Sequence, residues 1–207
     1  DPSKDVIYHT GMLARIIADC GYDAVPGNEA MAIIYSECAA DKFSGLALSY
    51  GSGMSNLALA IHTIEGMTFS VGRGGDTIDA GAAKAVGSTA ARICSIKEQG
   101  LDLQHPKGRE QEAIALYYRD LIEYTLRHNT EQFSKSKGSV VLPNPIPFVV
   151  SGGTSKAVGF LEIFKEIFEA KRKNFPIPIS EVRAAQNPLD AVARGLLVQA
   201  SQDSQDE

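Results

Sequence analysis

No apolar run in this sequence approaches the roughly 18 residues that a membrane span requires, so a transmembrane helix drops out of the reading at once. No long basic stretch is present either. Net charge is −5 and the pI is near 5.4, which argues against nucleic acid as a primary partner. Cysteine is scarce. Cys20, Cys38 and Cys94 are odd in number and widely spaced, fitting neither a disulfide framework nor a metal site. Reduced thiols in a cytoplasm are the simplest account. The chain opens Asp1-Pro2-Ser3 with no methionine and no signal peptide, so it reads as a processed piece or a fragment of something longer. No repeat or low-complexity segment stands out, and no Gly-x-Gly-x-x-Gly opens a helix after a strand, which sets aside a Rossmann dehydrogenase. What remains is 207 residues, 44% hydrophobic and 22% charged. That is the composition of a folded soluble protein of one large domain or two small ones.

The most informative stretch is 43–56. An apolar run (Phe43, Leu46, Ala47, Leu48) ends in Gly51-Ser52-Gly53, and a second run, Leu57–Ile61, leaves immediately. This predicts two strands joined by a tight hairpin. Glycines at the tip permit positive φ and remove Cβ atoms, so successive N–H groups can converge on an anion. Ser52, Ser55 and Asn56 surround the tip with small hydrogen-bonding groups. Taken alone, such a stretch is more often an ordinary turn.

The rest of the chain supplies company. Apolar spacing predicts an amphipathic helix over 4–20, stopped by Gly21. A second helix, from Glu29 to about Ala40, has Asn28 as its N-cap and Glu29 in its first turn, where a carboxylate suits the helix dipole. A third strand is predicted at Met67–Val71. Gly72-Arg73-Gly74-Gly75-Asp76 then turns into a helix near Thr77, again suiting close approach of an anion or ribose. Small-residue helices follow over 79–86 and 88–98, and the longest helix over 109–128. His105 and His128 read as surface residues, and Ser134–Gly138 as a polar break. Pro145–Val150 predicts a short buried strand delivered into Ser151-Gly152-Gly153-Thr154-Ser155, with a helix over 156–173. Strand, Gly-Gly-Thr, helix is an arrangement that accepts a nucleotide at the strand's carboxyl end. Pro176 and Pro178 read as an extended spacer, and Asn187-Pro188 as the start of a last helix with proline at its first position. Residues 201–207 read as a frayed polar tail.

Six of these pieces, in order, resemble the actin-like ATPase superfamily of actin, actin-like filament proteins, heat-shock chaperones and sugar kinases. They are Asn28–Ala32 (first connecting helix), Leu48–Asn56 (second phosphate hairpin), Gly74–Asp79 (the Gly-Gly-acid-x-x-Asp turn), Ile96–Glu98, Phe148–Ser155 (adenosine motif) and Asn187–Gly195 (second connecting helix). The absence of a large insertion between 99 and 140 places the chain nearer the bacterial and archaeal actin-like proteins. The resemblance implies an α/β fold, a ribonuclease-H-like actin-type lobe with a mixed sheet flanked by helices. It divides the chain into a first-lobe remnant (1–42), the second lobe (43–182, with a compact helical subdomain at about 80–137), the second connecting helix (183–200) and a tail (201–207).

Two departures accompany it. The superfamily's first phosphate hairpin, of Asp-x-Gly-x-Gly type, is missing. In the second hairpin, Ser49 stands where an Asp usually helps to hold water on Mg²⁺, and serine is a poor partner for a hard cation. The resemblance implies ATP or ADP with Mg²⁺ as ligands and assigns no metal-binding side chain in this chain. Gly51, Ser52, Gly53, Met54 and Ser55 would hold the β/γ-phosphates. Gly74, Gly75 and Asp76 would approach the ribose, Lys97 and Glu98 would border adenine or ribose, and Gly152, Gly153 and Thr154 would take the adenosine and α-phosphate side. Glu29 would orient the attacking water, and Gly195 would be a hinge. The implied activity is that of a nucleotide-dependent filament or assembly ATPase, with a chaperone-like or kinase-like ATPase or a non-hydrolysing scaffold as alternatives. Apolar Ile16, Ile17, Leu196 and Leu197 would be left seeking the missing half or another copy.

Overall fold

The computed structural model describes residues 2–135 and 144–203. In chain order the elements are α1 (Pro2–Asp19), α2 (Glu29–Glu37), β1 (Gly45–Tyr50), β2 (Ser55–Ile61), β3 (Ile64–Val71), α3 (Gly75–Val86), α4 (Ala90–Glu98), α5 (Gly108–Lys135), β4 (Ile146–Ser151), α6 (Phe160–Lys171), β5 (Ile179–Ala184) and α7 (Ala191–Asp203). The five strands form one mixed sheet of order β3-β2-β1-β4-β5. The β1–β2 and β2–β3 pairs are antiparallel, whereas β1–β4 and β4–β5 are parallel.

The pleat sorts the strand residues onto two unlike faces. Leu46, Leu48 and Tyr50 of β1, Leu57 and Leu59 of β2, and Phe148 and Val150 of β4 point into a large core closed by α3, α5 and α6. Aromatic rings fill its centre. Phe148 lies 5.3 Å from Phe164, 5.7 Å from Phe168 and 6.0 Å from Phe175 between ring centroids, distances at which ring pairs attract beyond their area burial. Tyr50, fully buried, packs edge-on against Phe160, and its hydroxyl lies 2.6 Å from Thr125 Oγ1. Burial pushes the Tyr50 phenol well above its ordinary range, against a small opposing effect of that hydrogen bond. Replacing Tyr50 with Phe keeps the ring and removes one bond of the Thr125 hydroxyl, which retains the Leu121 and Ile122 carbonyls as acceptors at 3.0 Å. Stability should fall by about 1–2 kcal/mol, seen as a lower urea midpoint at constant slope; an unchanged midpoint would show that the bond contributes nothing net.

The opposite face is made of small side chains, Ala47 on β1 and Ala58 and Ala60 on β2, with Val149 on β4. Against it lie α2, through Ala30, Ile33 and Ile34, and α7, through Ala191. Small residues let these helices sit close. Gly195 of α7 is pressed so tightly on α2 that an added Cβ would lie 1.7 Å from the Ala32 carbonyl oxygen. A buried carboxylate ties the same layer together: Arg183 of β5 donates from Nη1 to Glu37 Oε2 (3.2 Å) and from Nη2 to the Glu37 carbonyl (2.6 Å) at the end of α2.

Local signals explain most boundaries. Asn28 Oδ1 accepts from the Ala30 and Met31 amides at 2.9 and 3.2 Å, capping α2 as its sequence predicts. Thr89 caps α4 through the Arg92 amide, and Gly87 ends α3 in the left-handed region. Five expectations need correction. The proline-bearing spacer is followed by an edge strand, β5, paired parallel to β4. The last helix starts at Ala191, because Asn187-Pro188 forms a turn in which Asn187 Oδ1 accepts from the Leu189 amide. A 3-10 turn over Gly153–Lys156 precedes α6, so that helix begins only at Phe160. β3 starts at Ile64, three residues before Met67. The expected break at 134–138 starts inside α5, which runs to Lys135; residues 136–138, like 204–207 of the tail, lie outside the described residues.

The side chains of α1 from Ile7 onward lie open. Ile16 is 53% and Ile17 38% exposed, and on α7 Leu196 is 38% and Leu197 68% exposed. No helix among the described residues is long and apolar enough to cross a membrane.

Candidate functional site

Because β1 and β4 are parallel neighbours, both deliver their carboxyl ends to the same edge of the sheet. The β1–β2 hairpin tip, the turn before α3 and the loop after β4 therefore meet there. Main-chain bonds lock them together. The Gly75 amide donates to Gly51 O (3.0 Å), the Asp76 amide to Ser52 O (2.8 Å) and Thr154 Oγ1 to Gly51 O (2.9 Å). The hairpin closes on itself through Gly51 N–H to Met54 O at 2.9 Å, and the buried Ser55 hydroxyl donates to Arg73 O at 2.7 Å.

Close approach accounts for two of the glycines. A Cβ on Gly74 would lie 2.4 Å from Ser52 O, and one on Gly152, whose φ is +97°, 2.4 Å from Tyr50 O. Both contacts are with backbone, so neither can yield. Gly53 and Gly153 are different: nothing lies within 4 Å of where their Cβ would be, and these two open outward.

The three loops border a cavity of about 470 Å³. Seven of the predicted residues line it: Ser52, Gly75, Asp76, Lys97, Glu98, Gly153 and Thr154. Gly51, Gly74 and Gly152 frame it through the contacts above, and Gly53, Met54 and Ser55 complete the hairpin beside it. Lys97 is held rigidly. Its Nζ is 2.7 Å from Asp79 Oδ1 and donates to Gly75 O at 3.2 Å, with only 13% of the Lys97 and 9% of the Asp79 side chain exposed. Leu101, Tyr118 and Val158 also line the cavity, so charged and apolar groups share one wall. Burial, and next the nearby Asp79 charge, push the Tyr118 phenol above its ordinary range.

Glu29 does not line this cavity. It lies on the other side of the hairpin, on the α2 face of the sheet, where Glu29 Oε2 accepts from Asn56 Nδ2 at 3.1 Å. Asn56 Oδ1 accepts in turn from Ser70 Oγ at 2.8 Å. Asn56 pairs in register with Ser49, which is 3% exposed. Asn56 and Asp79 are thus contact residues to which the resemblance assigns no role of their own. Their signal is the strand period, which puts position 56 on the face of position 49, and the helix period, which puts Asp79 one turn past Gly75.

Among the described residues no group of three or more His, Cys, Asp or Glu side chains could hold a metal ion. The carboxylates at this edge are scattered, Glu29 bonded to Asn56 on one side of the hairpin and Asp76 and Glu98 in the cavity wall on the other. That suits Mg²⁺ only as an ion carried chiefly by phosphate and water, the coordination this cation favours.

Three-dimensional comparison places the fold. EutJ from Carboxydothermus hydrogenoformans superposes with a TM-score of 0.60 at 20% identity, covering 83% of this chain and 54% of that one. MreB 5 of Spiroplasma citri bound to AMPPNP gives 0.65 at 15% identity, covering 86% and 60%. A non-polymerising MamK mutant bound to AMPPNP gives 0.59 at 18% identity, covering 84% and 58%. All are actin-like ATPase family members, so this chain has the actin-like fold. It spans a little over half the length of the solved structures it matches. No curated protein matches it significantly. In sequence, the family model named Volactin matches residues 1–200, nearly the whole chain, and the chain therefore belongs to the Volactin family, carried on an actin-like fold.

Proposed function

We propose that this chain is the second-lobe portion of a nucleotide-dependent assembly ATPase, with ATP and ADP bound at the edge where the three glycine loops meet. The observation that carries the reading is the cavity itself. Its lining brings together main chain from Ser52, Gly75 and Gly153, the Lys97 ammonium held on Asp79, and the apolar Leu101 and Val158. A nucleotide needs both kinds of group, main-chain donors for its phosphates and apolar surface for its base. Gly51 to Ser55 hold the β/γ-phosphates, Gly74 to Asp76 and Lys97–Glu98 the ribose side, and Gly152 to Thr154 the α-phosphate. Mg²⁺ rides on those phosphates. A cytoplasmic setting fits the scarce thiols. Open apolar side chains on α1 and α7 supply the surface for the other lobe or a second copy.

Phosphoryl transfer asks a protein for positioning and charge neutralisation; on this reading Glu29, across the hairpin from the cavity and bonded to Asn56, directs the attacking water. Replacing Glu29 with Ala in the protein carrying both lobes should lower ATP turnover about 100-fold and leave the ATP dissociation constant within about threefold. Unchanged turnover would remove Glu29 from the reaction.

Calorimetry with ATP and ADP, with and without Mg²⁺, tests the reading on this chain and on the protein with both lobes. Binding by the two-lobed protein, much weakened in the single lobe, is the expected result. Binding by neither would leave the second reading, a scaffold that keeps the fold without the nucleotide. Buried Ser49 at the usual Asp position is the observation that favours it.

A further inference from the structure

The turn over 72–76 is bonded to the hairpin over 51–55 at three places, through Gly75 to Gly51, Asp76 to Ser52 and Ser55 to Arg73. Four of those five turn residues are glycine or a short acid and cannot reach far. Arg73 can. Its guanidinium carbon sits 3.7 Å from the centroid of the Tyr124 ring on α5, and Nη1 is 3.8 Å from Asp120 Oδ2, one helical turn earlier. Tyr124 is itself stacked nearly parallel on His128, 6.1 Å away and 10° inclined. The Arg73 amide donates to Val71 O at 2.7 Å, so the residue sits in a tight turn. Fixing its side chain on α5 thereby fixes the direction of its carbonyl, which is the acceptor for the buried Ser55 hydroxyl.

We propose that Arg73 is a positioning residue: by stacking on Tyr124 and pairing with Asp120 it holds the 72–76 turn, and through it the 51–55 hairpin, to helix α5. A cation over an aromatic face is a directional contact that survives partial exposure, whereas an exposed ion pair alone would hold little. The consequence for nucleotide rests on the reading above; the mechanical link does not. α5 is 28 residues long, about 42 Å at the α-helical rise.

Two measurements separate the link from the nucleotide reading. Hydrogen exchange on the chain described here needs no ligand. Arg73→Ala should speed exchange of the Gly51, Gly75 and Asp76 amides, whose hydrogen bonds close the hairpin and tie the turn to it, about tenfold and leave those of β4 and α6 unchanged, with Tyr124→Leu doing the same and Tyr124→Trp restoring slow exchange. Unchanged exchange at those amides, or uniform acceleration across the lobe, would overturn the proposal. In the protein carrying both lobes, Arg73→Ala should weaken ATP binding about tenfold and ADP binding less, because the hairpin faces the terminal phosphates. If nucleotide binds equally well to Arg73→Ala and wild type, the role in nucleotide positioning is overturned while the site stands. If wild type binds none, the site reading fails, and the exchange data still judge the link.

Discussion

Exchanging Gly195 for alanine should destabilise the chain by about 3 kcal/mol and lower its melting temperature by about 10 °C. Helix propensity alone forecasts the reverse, since alanine in a helix interior is better than glycine by about 1 kcal/mol. The structure decides the sign. The new methyl would fall 1.7 Å from the Ala32 carbonyl oxygen and 2.8 Å from Ala32 Cα, and both belong to the backbone of α2. No rotamer change relieves that clash, so α7 must move off α2 or both must tilt. Either opens a layer in which Ala30, Ile33, Ile34 and Ala191 are buried. Circular dichroism on heating measures the result. A melting temperature within about 2 °C of wild type would mean that the two helices separate freely, and that Gly195 acts as a hinge without a packing role.

The second large effect is expected at Lys97. Its ammonium neutralises Asp79, and both side chains are almost wholly buried. Lys97→Met keeps the aliphatic stem and leaves a carboxylate without its counter-ion beside Tyr118 and Cys94. Removing one partner of a buried pair costs about 3–5 kcal/mol, and the open mouth of the cavity favours the lower figure. Gly75 O also loses its 3.2 Å donor. The urea midpoint should fall sharply, and adding Asp79→Asn to the same variant should recover more than half of the loss, because the uncompensated charge causes most of it. A double variant no better than Lys97→Met alone would show instead that the stem of Lys97, or its bond to Gly75, is what matters.

The sheet and its loops are legible in the sequence where chemistry is redundant. Apolar strands ending in Gly51, Gly74 and Gly152 signal close backbone approach, and two of those three do carry a missing Cβ that would meet backbone at 2.4 Å. β5 is illegible for a physical reason. Its register slips between Ile146 and Phe148, whose partners are Ile179 and Val182. The buried positions are therefore three apart and break the period of two by which strands are recognised. Pro178 just before them adds a signal of non-strand. The last helix starts late because Asn187 uses its side chain in a turn, a choice that proline at 188 permits equally well. The Lys97–Asp79 pair and the Glu29–Asn56 contact join separate elements, and no local pattern encodes a distance across the fold.

The two faces of the sheet also differ in how freely this sequence can drift. On the aromatic side, rings and branched chains can exchange volume with one another, and a loss at one position can be made good at the next. On the alanine side, Ala47, Ala58 and Ala60 lie beneath α2, and any enlargement pushes on a helix already in contact with Gly195. Substitutions there should be filtered by size far more than by polarity. Variants surviving a selection for folding would then show a side of nearly frozen small residues and a side of interchangeable large ones.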